Sequence, residues 1–377
     1  MLSAGDLDCA RRVLSLARGY RVRLREVAEF RPGRVVRCQV EDDGDTVIVK
    51  VPARQEGAAK NQGTIHNEHA ALQFLTEVGS DVTASLLGAD SHAGVLVLED
   101  LGDGPSLATI LLADDRAGAV RAARDSASAL GTLHAQTVGC EDAYYEIRER
   151  LSPCDRRADR FTLRGLDIRS CIRDLPGLLA DHDFPSSTRH EHDLDSIVDE
   201  LAEPGDFLAL SGGDPCPDNE RIATGGVKFF DFDAATCRHA LVDAAHYVIP
   251  FPNCWCWRVI PDELSQAMLA AHRAQLAASS SQAADDSRYG EALARTSAAW
   301  VLWTLTRRLP YAADDQRAQT RIIVALSKFS RLAGSSNQLP DLKGYCETLL
   351  ATMQSRWPDT TAEQYPAFGG PPWSRHG

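Results

Sequence analysis

Leu210-Ser211-Gly212-Gly213-Asp214-Pro215-Cys216-Pro217-Asp218-Asn219 is the segment around which the rest of this 377-residue chain can be organised. It continues a β-forming stretch, Phe207–Leu210, and the two prolines restrict φ on either side of Cys216. It therefore reads as a stiff loop at a strand end. Seventeen residues beyond Asp214 stands Asp231, inside Val227-Lys228-Phe229-Phe230-Asp231-Phe232-Asp233. A carboxylate among Phe229, Phe230, Phe232 and Ala234 requires a cation or a hydrogen-bonding partner. Taken alone, Gly-Gly-Asp-Pro and Pro-Asp-Asn read equally well as surface turns. Taken together, the segments hold the groups that phosphoryl transfer needs. One carboxylate orients an attacking hydroxyl and takes its proton; a second carboxylate and an amide oxygen hold the divalent ion on the phosphates.

Working outward, the upstream third carries a complementary pair. Lys50 closes the β-rich run Thr46-Val47-Ile48-Val49-Lys50-Val51, and Glu68, eighteen residues later, opens a predicted helix over 67–78. Alone, Lys50 is equally an exposed strand end and Glu68 a solvated helix residue. In this order, ahead of Asp-x-x-x-x-Asn, they fit a strand lysine on nucleotide phosphates braced by a helix glutamate.

The order Lys50, Glu68, Val95-Leu96-Val97-Leu98-Glu99-Asp100-Leu101-Gly102, Gly213–Asn219 and Phe230–Asp233 resembles the aminoglycoside phosphotransferase and choline kinase branch of the protein-kinase-like fold, over roughly residues 25 to 250. The resemblance implies Asp214 as catalytic carboxylate, Asn219 and Asp231 as magnesium ligands, and Lys50 on the ATP phosphates with Glu68 behind it. It places the backbone of Glu99 to Leu101 against the adenine edge, and makes ATP and Mg²⁺ the expected cofactors. Gly212 is a departure, because the branch carries histidine there; its loss should loosen the loop, since glycine adds backbone freedom. The phosphate-covering turn, Phe30-Arg31-Pro32-Gly33-Arg34, is poor in glycine.

The fold class expected is α+β and two-lobed: a small antiparallel β lobe with one helix over residues 1–100, a larger mainly helical lobe over 101–357, and a flexible tail over 358–377. Leu101-Gly102-Asp103-Gly104-Pro105 marks the joint. The first 30 residues read as helical, with Leu7, Ala10, Val13 and Leu14 on one face. Asp115–Val138 reads as one long amphipathic helix, and residues 141–205 resist assignment.

Composition bounds the function. Hydrophobic residues make up 44% and charged residues 25%, an ordinary globular balance. The net charge of −13 disfavours nucleic acid as a partner and mildly favours a cationic small-molecule acceptor. No basic-then-apolar leader opens the chain and no apolar run is long enough to span a bilayer, so a cytoplasmic location with no membrane partner is expected, with the ten cysteines as reduced thiols. The sequence is silent on oligomeric state. His190-Glu191-His192-Asp193 reads as a polar loop. Cys254-Trp255-Cys256 reads as a packing wall, because zinc wants further ligands that spacing does not supply.

The function expected is transfer of the γ-phosphate of ATP to a hydroxyl of a small molecule such as an aminoglycoside or amino alcohol. The alternatives are a catalytically weak nucleotide-binding module, motivated by Gly212, and a protein kinase or nucleotidyl transferase on the same scaffold. The protein kinase reading lacks an Ala-Pro-Glu-like anchor after Asp231.

Overall fold

The computed structural model describes residues 1–52, 58–187, 189–223 and 225–371. Helix α1 (Ala4–Arg18) starts on Ser3, whose hydroxyl accepts the Asp6 N–H, and stops at Gly19 in the left-handed region. The helix therefore ends well short of residue 30. Leu24–Arg31, expected to be helical, is instead strand β1, because it pairs with the following run and finds its backbone partners there. With β2 (Val35–Val40), β3 (Thr46–Lys50), β4 (Leu86–Asp90) and β5 (Val95–Glu99) it forms an antiparallel sheet in the order β1-β2-β3-β5-β4. Helix α2 (Ala58–Glu77) begins earlier than expected, which puts Glu68 in its middle.

Strand parity sets which side chains face which layer. Val47, Val49, Val95 and Val97 pack with Ala10, Val13 and Leu14 of α1. Leu96 and Leu98 turn the other way, onto Phe74 and Leu75 of α2, with Ile48 beside them. Lys50 pairs with Leu96 across the sheet and has the parity of Ile48, so it points toward α2.

The second lobe is mainly helical. Its core is built on the long helices Arg116–Thr137, Asp262–Leu276, Asp286–Arg308, Gln316–Ser336 and Pro340–Arg356. Trp300 and Trp303 lie fully inside it, each indole N–H donating to a backbone carbonyl, of Val242 and Leu163 respectively. Residues 141–205 form helices at Glu141–Leu151, Ile168–Asp181 and Glu191–Ala202, plus a short hairpin, Thr162–Leu163 with Leu166–Asp167.

Two further strand pairs lie beneath the small lobe: Leu208–Ser211 with Thr236–His239, and Glu220–Ala223 with Gly226–Phe229. The second is strapped to the small lobe, because Phe229 donates to the Val82 carbonyl and accepts from the Ala84 N–H. Residues 358–371 are not the free tail expected. Val259 donates to the Glu363 carbonyl, Tyr365 donates back to Val259, and Tyr365 and Phe368 are buried. Their apolar rings keep this end on the helical lobe despite its prolines and glycines. Residues 372–377 lie outside the described residues.

Candidate active site

The upper half of the site is set by regular structure. Lys50 Nζ lies 2.5 Å from Glu68 Oε2 and 2.5 Å from Asp231 Oδ1. Lys50 is 8% exposed and Glu68 fully buried. Burial opposes the ammonium charge, but the carboxylates of Glu68 and Asp231 outweigh it and hold the Lys50 pKa above its ordinary value. Burial likewise pushes Glu68 up to about 7, against the pull of Lys50. The fold thus brings together two of the sequence-predicted groups, and adds the third from 181 residues away.

The lower half stands on loops. Asp214, Asn219 and Asp231 line one cavity, together with Pro215, Cys216 and Phe230. Asn219 donates its amide N–H to the Asp214 carbonyl (3.0 Å), which turns the remaining amide oxygen into the available acceptor. Asp231 has φ 67°, a left-handed backbone that costs a non-glycine residue about 1–3 kcal/mol and is kept where surroundings over-determine it. The phenylalanine run around it supplies that surrounding: Phe232 is buried, and Phe230 N–H bonds to the Asn219 carbonyl. Burial opposes ionisation of Asp231, yet Lys50 holds it below the usual carboxylate range.

Gly213 takes φ 83°, and a Cβ there would sit 2.0 Å from the Ala234 carbonyl oxygen, so only glycine lets the two loops meet. The loosening expected from Gly212 is offset by residues the sequence reading passed over. Ser211 Oγ accepts the Gly213 N–H (3.1 Å), accepts from Arg238 Nη2 (2.8 Å) and donates to Asp243 Oδ1 (2.8 Å). Asp243 is fully buried. Burial works against its charge, but His134 and Arg238 hold it down at about 2. His134 is fully buried between Asp243 (3.4 Å) and His272 (2.9 Å); donating from Nε2 and accepting at Nδ1 satisfies both contacts. A signal for Asp243 did exist: it interrupts the apolar run Leu241-Val242-Asp243-Ala244-Ala245, as Asp231 interrupts its own.

Arg164 was also missed. It occupies a tight turn with Gly165, both at positive φ, and its guanidinium reaches Asp214 Oδ2 at 3.1 Å. Nothing in the local sequence marks it, since the contact spans 50 residues and depends on how the hairpin docks. Burial raises the Asp214 pKa and Arg164 opposes the rise, while Asp231 and Asp233 add to it.

Glu99 and Leu101 stand at the joint. The Glu99 carboxylate accepts from Lys228 Nζ (2.8 Å) and from Ser85, which ties the lobes together on this side. The Glu99 backbone N–H bonds to the Ser85 carbonyl.

The donor set fits a hard divalent ion. The charge of Asp231 raises the pKa of both Asp214 and Asp233, and the ligand atoms on offer here are all oxygen. Asp231 and Asn219 would hold the ion. Elsewhere, the His190–Asp193 segment is structural, with His190 stacked on Tyr345 and Asp193 accepting the first N–H groups of the helix Pro340–Arg356.

No family model and no curated protein matches the chain. Solved structures do. The chain is similar in fold to small-molecule kinases. A choline/ethanolamine kinase family protein from Mesorhizobium loti is 16% identical, with 92% of this chain and 99% of that one covered, at a TM-score of 0.44. Choline kinase from Cryptosporidium parvum Iowa II is 9% identical, with 85% and 90% covered, at 0.45. Amicoumacin kinase hAmiN, in complex with AMP-PNP, Ca²⁺ and Ami, is 11% identical, with 84% and 88% covered, at 0.42. Among the described residues, no helix is long and apolar enough to cross a membrane.

Proposed function

We propose that this protein transfers the γ-phosphate of ATP to a hydroxyl group of a small molecule. The observation that carries the proposal is the convergence of Lys50, Glu68 and Asp231 over a cavity walled by Asp214 and Asn219. Lys50 is fixed on both sides, so its ammonium can meet phosphate oxygens with little reorganisation. Asp214, on a loop pinned by Ser211 and Gly213, orients the acceptor hydroxyl and takes its proton. Arg164 beside Asp214 opposes the upward push of burial on that carboxylate and leaves a positive charge where negative charge grows in the transferred group. Magnesium, when bound, neutralises charge on the bridged phosphates. Glu99 to Leu101 would offer backbone groups to the adenine edge.

The reading of a catalytically weak module rests on Gly212 alone. The Ser211–Asp243–Arg238 brace supports the active reading instead. The acidic balance of the chain favours a cationic acceptor. The test is ATP consumption against a panel of amino alcohols, aminoglycosides, nucleosides and sugars, followed by single-turnover transfer to the best acceptor. Added phosphate on the acceptor by mass spectrometry is the expected result. Added AMP, or magnesium-dependent ATP binding with no turnover on any acceptor, would reject the proposal.

A further inference from the structure

Cys216, Cys254 and Cys256 bring three sulfurs together, every pair within 4.8 Å. Among the described residues this is the one group of three or more histidine, cysteine or acidic side chains able to share an ion. The fold supplies what spacing did not show: Cys216 comes from the loop that carries Asp214 and Asn219, and meets Cys254-Trp255-Cys256 across 38 residues. Cys254 and Cys256 are buried, packed with Ala108 and Phe251. The expectation of ten reduced thiols is not met, because the structure joins Cys216 to Cys254 as a disulfide. Cys256 Sγ nevertheless stays 3.0 Å from Cys254 Sγ.

A disulfide needs two sulfurs, and apolar packing needs none. Three converging sulfurs match the ligand set of a thiophilic ion. With zinc–sulfur bonds of about 2.3 Å, sulfurs on one tetrahedral ion lie about 3.8 Å apart. The Cα atoms of Cys216 and Cys254 are 5.7 Å apart, so once the bond is reduced, side-chain rotation takes the sulfurs to that spacing. The frame around them is fixed without the sulfurs. Trp255 Nε1 donates to Asp218 Oδ2 at 3.2 Å, and Asp218 also accepts from Ser106. Arg321 donates to the carbonyls of Pro252 and Cys254 at 2.8 and 2.9 Å. Its guanidinium is the countercharge that three thiolates on a dication would require. The Tyr365 hydroxyl lies 3.9 Å from Cys256 Sγ.

We propose that Cys216, Cys254 and Cys256, when reduced, bind one zinc ion, with the Tyr365 hydroxyl or a water at the fourth position. Three thiol protons leave as the ion binds, so binding and the Cys216–Cys254 bond are mutually exclusive. The ion would clamp the loop of Asp214 to the Phe251–Trp257 segment. It uses sulfur ligands in place of the oxygens of Asn219 and Asp231, and does not depend on the phosphotransferase reading.

The test uses the full chain, reduced with a phosphine, stripped with a chelator and titrated with Co²⁺ and then Zn²⁺. One equivalent of cobalt should give sulfur-to-cobalt charge-transfer bands and tetrahedral visible bands, which zinc abolishes. Cys256→Ser keeps the Cys216–Cys254 pair and should weaken binding by more than about 100-fold, the upper end of what loss of a mere outer-shell partner costs. Cys140→Ser, outside the cluster, should bind as the parent does. If Cys256→Ser does not fold, Cys216→Ser, at a partly exposed position, takes its place. Parent protein whose three thiols alkylate fully but which gives no sulfur-to-cobalt band overturns the proposal, as does a Cys256→Ser chain that binds as tightly as the parent.

Discussion

Lys50, which meets Asp231, and Asp214, which lines the same cavity as Asp231, are held by different means. Lys50 stands on a central strand whose neighbours on both sides are hydrogen-bonded, and its direction follows from strand parity. Asp214 stands on a loop, and its position follows from a buried polar network assembled from Ser211, Arg238, Asp243, His134 and His272. Regular structure aims a side chain by local rules; a loop needs long-range partners to do so. The lower half of the site should therefore be the more sensitive to substitutions that touch no substrate.

The largest effect should come from Asp214→Asn, which keeps shape and removes the base. Loss of general-base catalysis predicts a fall in kcat of about 10²- to 10⁴-fold with KM for ATP little changed, read by single-turnover transfer. Next comes Asp243→Asn. It reaches no substrate, yet it deprives Ser211 and His134 of a charged partner, and a displacement of the loop on the order of 1 Å is worth about 10²-fold in kcat. A variant of Asp243 that leaves kcat untouched would break the contrast drawn above. Glu68→Gln should cost less, about 10-fold or roughly 1.4 kcal/mol in the transition state, because Asp231 still holds Lys50. Its signature is a rise in KM for ATP alongside the fall in kcat.

Glu200→Gln sets the baseline, with no change in kcat per folded molecule. Glu200 is buried in the helical lobe against His239 (2.8 Å), Arg288 (2.6 Å) and Arg295 (3.0 Å). Burial opposes its charge, but these partners bring it down to about 2. Its folded pKa lies below the unfolded value of about 4.3, so the stability it contributes is present above that pH and is lost as pH falls toward 2. Across this window the parent should lose about 3 kcal/mol more than the glutamine variant by urea unfolding, other buried carboxylates such as Asp243 contributing equally to both. An equal acid sensitivity in both would remove Glu200 from this role.

The residues that could be read in advance share a property: their environment is written next to them. Lys50 ends a strand, Asp231 sits in an aromatic run, and Asp214 and Asn219 keep a fixed spacing in one loop. Glu68 meets Lys50 although its helix starts earlier than the pattern suggested. Leu24–Arg31 was misread because isolated alternation is weak beside a helical pattern and strand pairing is non-local. The tail was misread because proline and glycine content outweighed Tyr365 and Phe368, whose burial depends on a distant strand edge at Val259.

By itself the sequence determined the two-lobed α+β architecture and the candidate groups Lys50, Glu68, Asp214, Asn219 and Asp231, because periodicity, turn residues and charges set in apolar runs are local features. Only the tertiary structure decided that Lys50 meets Asp231, that Arg164 lies on Asp214, that Ser211 and Asp243 do the bracing where Gly212 cannot, and that Cys216 joins Cys254 and Cys256. These contacts link residues tens to hundreds of positions apart, and they arise from how preformed elements pack, which no local pattern encodes.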